Sequence, residues 1–136
     1  MMARYSFKKT ERLTGKKNIE QLFLSDESFR IKPFKVFWQI VEPQQTTAGS
    51  RVLISVPKKI HKKSVVRNLI KRRIRESYRL NKKTLIDFLK QNNIVIHWGV
   101  IYLTDEILSY REIEEKLLLI LQQLTHSINR KLKQKQ

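Results

Sequence analysis

From Ile94 to Leu103 the chain reads almost continuously apolar, broken only at His97 and Gly99. A run of that length and character predicts a strand buried on both faces, at the centre of a sheet. Phe34 to Val41 is rich in aromatic and β-branched residues and predicts another strand. Arg51 to Val56 predicts a third, closed by Pro57, with a polar loop from Pro43 to Ser50 before it. Elsewhere the apolar positions recur at helical spacing. Ile19, Leu22 and Phe23 share one face of a first helix that opens after Thr14 at Gly15-Lys16-Lys17. A second helix spans about Ser64 to Leu80. A last one starts at Ser109, with Glu112 three residues on as a capping box, and buries Ile113, Leu117, Ile120, Leu121 and Leu124. The closing residues, Arg130 to Gln136, are polar and basic and are expected to fray. With three Gly and three Pro and no internal repeat, the chain has no flexible linker. Elements mixed in this order predict an α+β sandwich, with helices packed on a small sheet.

Placed on a wheel at about 100° per residue, the helix from Ser64 to Leu80 divides in two. Val66, Ile70, Ile74 and Ser77, flanked by Leu69 and Leu80, form the face that packs on the sheet. Opposite lie Ser64, Arg67, Asn68, Lys71, Arg72, Arg75 and Arg79. Arg67, Lys71 and Arg75 stand in one i, i+4 row, where like charges cost a few tenths of a kcal/mol per pair. Such a row is expected only where an anion lies along it. Mixed charges would read as a solvated face, but here the signs are not mixed.

Composition sharpens that reading. There are 29 Lys and Arg against 12 Asp and Glu, a net charge of +17. The segment from Lys58 to Lys83 holds twelve of the cations (Lys58, Lys59, Lys62, Lys63, Arg67, Lys71, Arg72, Arg73, Arg75, Arg79, Lys82 and Lys83) and one acid, Glu76. Asp105 to Leu124 holds five acids and two bases, so the charge belongs to one face of an otherwise ordinary body. Nucleic acid is the commonest partner of such a face, because phosphates spaced along a strand match cations at helical pitch. No run approaches the roughly 18 apolar residues of a membrane span. The start, Met1 to Ser6, lacks the apolar core of a signal peptide. The 136 residues suit one domain, with 40% hydrophobic residues and no cysteine. Thiolate metal sites, disulfides and cysteine nucleophiles are therefore excluded, and a cytoplasmic protein with no membrane partner is expected.

At the basic segment the chain resembles a known family. Ile54-Ser55-Val56-Pro57-Lys58-Lys59, then Val65-Val66-Arg67-Asn68-Leu69-Ile70-Lys71-Arg72-Arg73-Ile74-Arg75-Glu76, is similar to the signature of the bacterial ribonuclease P protein component. Phe7-Lys8-Lys9 and Glu11-Arg12-Leu13 extend the resemblance towards the N-terminus, and it spans roughly Arg4 to Leu124. Two positions depart from the family pattern. Leu69 stands where a second Arg is usual, and His61-Lys62-Lys63 replaces a Gly after the Lys-Lys strand. The resemblance implies a compact α-β sandwich of order α-β-β-β-α-β-α on a four-stranded sheet, with a left-handed βαβ crossover. The missing strand then lies in or beside the stretch from Ser28 to Ser50. It implies a subunit of ribonuclease P, one protein per RNA, that helps a catalytic RNA remove the 5′ leader of precursor tRNA. On this resemblance the RNA-binding residues are Lys58, Lys59, Arg67, Asn68, Lys71, Arg72 and Arg75. The leader would lie against Ile19, Phe23 and Phe37, with Lys71 and Arg75 near the rim. An aromatic residue is more usual at the place of Ile19. The residues themselves allow two readings of Phe23 and Phe37, core packing or stacking on a base.

Protein-borne chemistry is not legible. His61, His97 and His126 fall on a loop, a strand and a helix, with no acid at metal-ligand spacing. Gly15-Lys16-Lys17 lacks the upstream Gly of a phosphate-binding loop. No catalytic or metal-binding residue is assigned, and the Mg²⁺ implied by the resemblance is expected mainly on the RNA. A ribosomal or other structured-RNA-binding protein, or a helix that enters a DNA groove, remains open on residue grounds.

Overall fold

The computed structural model describes residues 11–41 and 49–134. Its elements run α1 (Lys16–Phe23), β1 (Ser28–Ile31), β2 (Phe34–Val41), β3 (Gly49–Ser55), α2 (Ser64–Asn81), α3 (Lys83–Gln91), β4 (Val95–Tyr102) and α4 (Tyr110–Gln134). The four strands form one sheet in the order β1-β2-β4-β3, antiparallel except for the β3–β4 pair. The near-continuous apolar run becomes β4, an inner strand paired on both sides.

Strand alternation divides the sheet into two faces. Phe34, Val36 and Trp38 of β2, Val52 of β3 and Ile96, Trp98, Val100 and Tyr102 of β4 are buried in one core. Ile70, Ile74 and Tyr78 of α2 and Ile113, Leu117, Ile120, Leu121, Leu124 and Ile128 of α4 complete it. Tyr78 meets the Trp98 ring edge-on, with centroids 5.6 Å apart, and its hydroxyl lies 2.7 Å from the Ser50 hydroxyl. The wheel put Leu80 at the edge of this stripe. It is 45% exposed, because Tyr78, one helical turn on from Ile74, takes the inward position.

The other face of the sheet carries α1. Leu22 is fully buried there, and a Cβ at Gly99 would come within 3.1 Å of its Cδ2. β4 thus has helices on both sides.

Three features go beyond the sequence pattern. The fourth strand is β1, in the expected stretch. With four residues of mixed polarity and one neighbouring strand, it carries little periodic signal. The crossover helix turns at Lys82, so α3 follows α2 with one residue between them, and Leu85 and Leu89 join the core. Lys82 is itself buried and its ammonium donates to both Glu11 carboxylate oxygens at 2.6 and 2.8 Å. Finally, the expected frayed end is helix. α4 continues through Gln134, because Ile128 is still core and Lys131 pairs with Glu27 of the segment before β1 at 3.0 Å. The capping box is present: Glu112 N–H donates to Ser109 Oγ, and Ser109 N–H to Glu112 Oε1.

Replacing Gly99 by Val should force α1 off the sheet and destabilise the fold by about 1–3 kcal/mol in urea unfolding, whereas Gly99→Ala, met by a Leu22 tip that can shift, should cost much less.

Candidate nucleic-acid interface

The basic surface begins at the turn that ends β3. Ile60 and His61 N–H both donate to Pro57 C=O at 3.1 Å, and this tight turn holds Lys58 and Lys59 out into solvent. His61 is buried, with its ring 5.8 Å from that of Tyr102 and Nε2 2.8 Å from Thr104 C=O. His61, the first of the three residues that stand in place of the family's Gly, therefore pins the basic turn to the loop after β4.

Arg67, expected to face the RNA outright, serves first as a brace. Its Nη1 donates to the His61 and Lys62 carbonyls, both at 2.8 Å, and so closes the turn onto the start of α2. Arg73 does the same on the other flank, donating to Leu108 C=O, and Arg79 pairs with Glu76 on its own helix. Asn68 and Arg72 are exposed, and Lys71 and Arg75 half-buried. Leu69 is half-buried at the edge of the apolar face, as its place on the wheel implied.

Arg75 has a neighbour that helical spacing could not reveal. Leu13 N–H donates to Val52 C=O at 3.0 Å, and Arg12 bridges to Val52 along the outer edge of β3. The Glu11–Lys82 pair ties the same short segment to the α2–α3 junction. Burial, and then the Arg12 charge, push the Arg75 guanidinium below its ordinary pKa.

Around that edge, on the sheet face beneath α1, lies a different surface. Phe23 and Phe37 meet edge-on, ring centroids 5.2 Å apart at 80°, while Phe23 stays 40% exposed. The Lys35 ammonium sits 4.9 Å from the Phe37 ring centroid. Ile19 is half-buried on the same helix. The two aromatic residues are thus joined in one place. Packing between the two rings accounts for only part of the Phe23 surface. Because α1 and α2 cover opposite faces, the basic row and the aromatic pair communicate round the β3 edge, where Arg12 stands near Arg75.

Further along this face His97 of β4 is buried with no partner for Nδ1. A buried polar atom left unsatisfied costs about 1–3 kcal/mol. Among the described residues no three His, Asp or Glu come together to hold a metal ion, and no helix is long and apolar enough to cross a membrane.

A family profile described as ribonuclease P matches residues 7–125. The chain belongs to the ribonuclease P protein family. The ribonuclease P protein component of Porphyromonas gingivalis is 32% identical over 115 residues, 85% of this chain and 83% of that one. Two solved structures share the fold. The RNase P protein of Staphylococcus aureus superposes with a TM-score of 0.64 at 22% identity, over 82% of this chain and 93% of its own. That of Thermotoga maritima gives 0.63 at 25% identity, over 83% and 96%. The chain is accordingly a subunit of ribonuclease P, the tRNA-processing ribonucleoprotein endonuclease, and its partner is the ribonuclease P RNA. This assignment selects ribonuclease P over the ribosomal and DNA-binding readings.

Two measurements follow from the site. Burial, with Arg51 alongside, lowers the His97 pKa from its usual value near 6.5, so the unfolded chain binds a proton there more readily than the folded one. Stability should fall as pH drops below about 6.5. His97→Leu should flatten that part of the profile in thermal unfolding from pH 7.5 to 5. Second, Asn68, Lys71 and Arg72 make none of the braces described, so changing all three to Ala should leave the melting temperature within a few degrees of the parent while weakening ribonuclease P RNA binding about tenfold or more in a filter-binding titration. Arg67→Ala should lower both, because the turn carbonyls lose their donor.

Proposed function

We propose that the protein binds ribonuclease P RNA through Lys58, Lys59, Arg67, Asn68, Lys71, Arg72 and Arg75, and holds the 5′ leader of precursor tRNA against Phe23 and Phe37 below α1. The observation that carries the leader reading is the aromatic pair. Its rings are fixed by one another, Phe23 keeps 40% of its surface exposed, and a lysine ammonium flanks the site. Stacking on such rings is worth about 1–3 kcal/mol per base and tolerates any sequence, since every base has a π-face. Ile19 borders the site with an aliphatic surface, which offers van der Waals contact and no stacking.

Division of labour with the RNA follows from the side chains. The protein supplies cations that offset the repulsion between two polyanions, a rigid turn and helix to aim them, and an aromatic seat for unpaired bases. It supplies no catalytic side chain; Mg²⁺ is carried mainly by the RNA, which performs the hydrolysis. One protein, acting as a single domain from residue 1 to 136, serves one RNA in the cytoplasm. In support of this division, several acids are engaged in ion pairs and caps (Glu11 with Lys82, Glu76 with Arg79, Asp87 with Lys83, and Glu112 at the head of α4), and among the described residues no three His, Asp or Glu converge on one point.

With about six phosphates neutralised, log K for the RNA should fall against log salt with a slope of about −4 to −5. A photocrosslinker at Phe23 or Phe37 in the reconstituted holoenzyme should label the leader a few nucleotides upstream of the cleavage site. Labelling confined to mature tRNA would show that these rings serve packing alone.

A further inference from the structure

The loop from Leu103 to Ser109 joins β4 to α4 and is folded round one side chain, Tyr102, the last residue of β4. The Tyr102 hydroxyl donates to Glu106 C=O at 2.6 Å and accepts from Leu108 N–H at 3.1 Å. Glu106 N–H donates to Thr104 Oγ1 at 3.2 Å. Leu103 N–H donates to Pro33 C=O at 2.9 Å and Ile113 N–H to Ser109 C=O at 3.0 Å, which fixes the two ends. Core packing accounts for the Tyr102 ring but not for its hydroxyl. The ring is fully buried, edge-on to Phe34 with centroids 5.5 Å apart and 5.8 Å from that of His61. A phenylalanine would make the same contacts. The hydroxyl is engaged wholly with loop backbone, its donor on one carbonyl and a lone pair on one N–H.

Two carbonyls of this loop reach the basic surface. Thr104 C=O accepts from His61 Nε2 at 2.8 Å, in the turn that carries Lys58 and Lys59. Leu108 C=O accepts from Arg73 of α2, 35 residues away. One loop therefore braces the turn and the helix together, and sets the one against the other. Its own exposed side chains are Leu103, Asp105, Glu106, Ile107 and Ser109. The two acids repel a polyanion, so the loop is suited to hold the cations rather than to join them.

Resting on the reading of this surface as the RNA interface, we infer that Tyr102 is a positioning residue for the binding of ribonuclease P RNA. Through the loop, its hydroxyl sets where Lys58 and Lys59 stand relative to Asn68, Lys71 and Arg72 of α2. Without the hydroxyl, Glu106 C=O and Leu108 N–H lose their partner and turn to water. The carbonyls that hold His61 and Arg73 shift with them. All the cations remain, but a looser set of them loses more freedom on meeting RNA. Affinity falls while the number of phosphates neutralised stays the same.

The test is Tyr102→Phe in the full chain, titrated with ribonuclease P RNA over a salt series at a temperature where the variants compared are folded. Affinity should fall about threefold to tenfold, with the slope of log K against log salt unchanged. Lys58→Ala with Lys59→Ala should instead make that slope shallower by about 1 to 2. Ile128→Val, a core change near the far end of α4, loses stability without touching the loop and should bind RNA as the parent does. His61→Phe with Arg73→Ala breaks the same link from its other end. That pair should weaken binding by itself, and Tyr102→Phe added to it should weaken binding no further. The pair decides the matter if Tyr102→Phe does not fold. Parent affinity in folded Tyr102→Phe, a loss matched by Ile128→Val, a changed slope, or a full further loss in the His61→Phe, Arg73→Ala background overturns the positioning role. If the protein with Lys58→Ala and Lys59→Ala binds RNA as the parent does, the reading of the turn as RNA interface falls, and the role of Tyr102 with it.

Discussion

Because β4 is paired on both sides and has helices over both faces, the rest of the molecule is arranged to keep water off it. The core side needs a wide apolar cover, which α2 and α4 provide with Tyr78 against Trp98 and a stripe from Ile113 to Ile128. The other side needs only a narrow one. Gly99 lets Leu22 of α1 come close enough for a helix of eight residues to serve. So short a helix leaves part of the sheet open, and on that open part lie Lys35, Phe37, Gln39 and Arg51. The exposure of Phe23 is a consequence of covering one strand unequally.

The second constraint is self-repulsion. A net charge of +17 on 136 residues opposes compaction, and much of it sits on one helix and the turn before it. The fold restrains the cations it needs structurally and leaves the rest for a partner. Arg67 and Arg73 donate to backbone carbonyls of the two flanking loops, Arg79 turns to Glu76, and Lys82 is buried against Glu11. Asn68, Lys71, Arg72 and Arg75 make no such brace and form the outward row. This explains how the chain accommodates Leu69 where the family usually has Arg. Position 69 lies at the margin of the apolar face, where a leucine gains contact and an arginine would have had to reach round the helix. Its neighbour Arg72 keeps a cation on the exposed side.

His61 shows how a departure from the family pattern can be absorbed in the same way. Glycine at that place gives a chain freedom to turn; here the turn is made by Pro57, and the histidine locks it through Thr104 and Tyr102. The basic turn is therefore rigid. A rigid array of cations loses less entropy on meeting RNA than a mobile one, and this favours a single binding geometry.

Much of this protein was legible in its residues. Long periodic segments declared themselves: the apolar run of β4, the aromatic strand β2, the two-faced helix α2 and the capped start of α4. Their local pattern and their tertiary role ask for the same residues. The signature from Ile54 to Glu76 also pointed to the family without any structure, because it constrains residue types on both faces of one helix. What escaped was set by contacts between distant segments. β1 is too short and too exposed to carry a period, and it exists because β2 offers it an edge. α3 owes its direction to Lys82 and Glu11, which are 71 residues apart. The last turns of α4 look like a tail until Ile128 finds the core and Lys131 finds Glu27. The nearness of Arg12 to Arg75 and the bracing role of Arg67 both depend on which segments are neighbours. Periodicity says which face a side chain takes; only the order and register of the strands say what stands beside it.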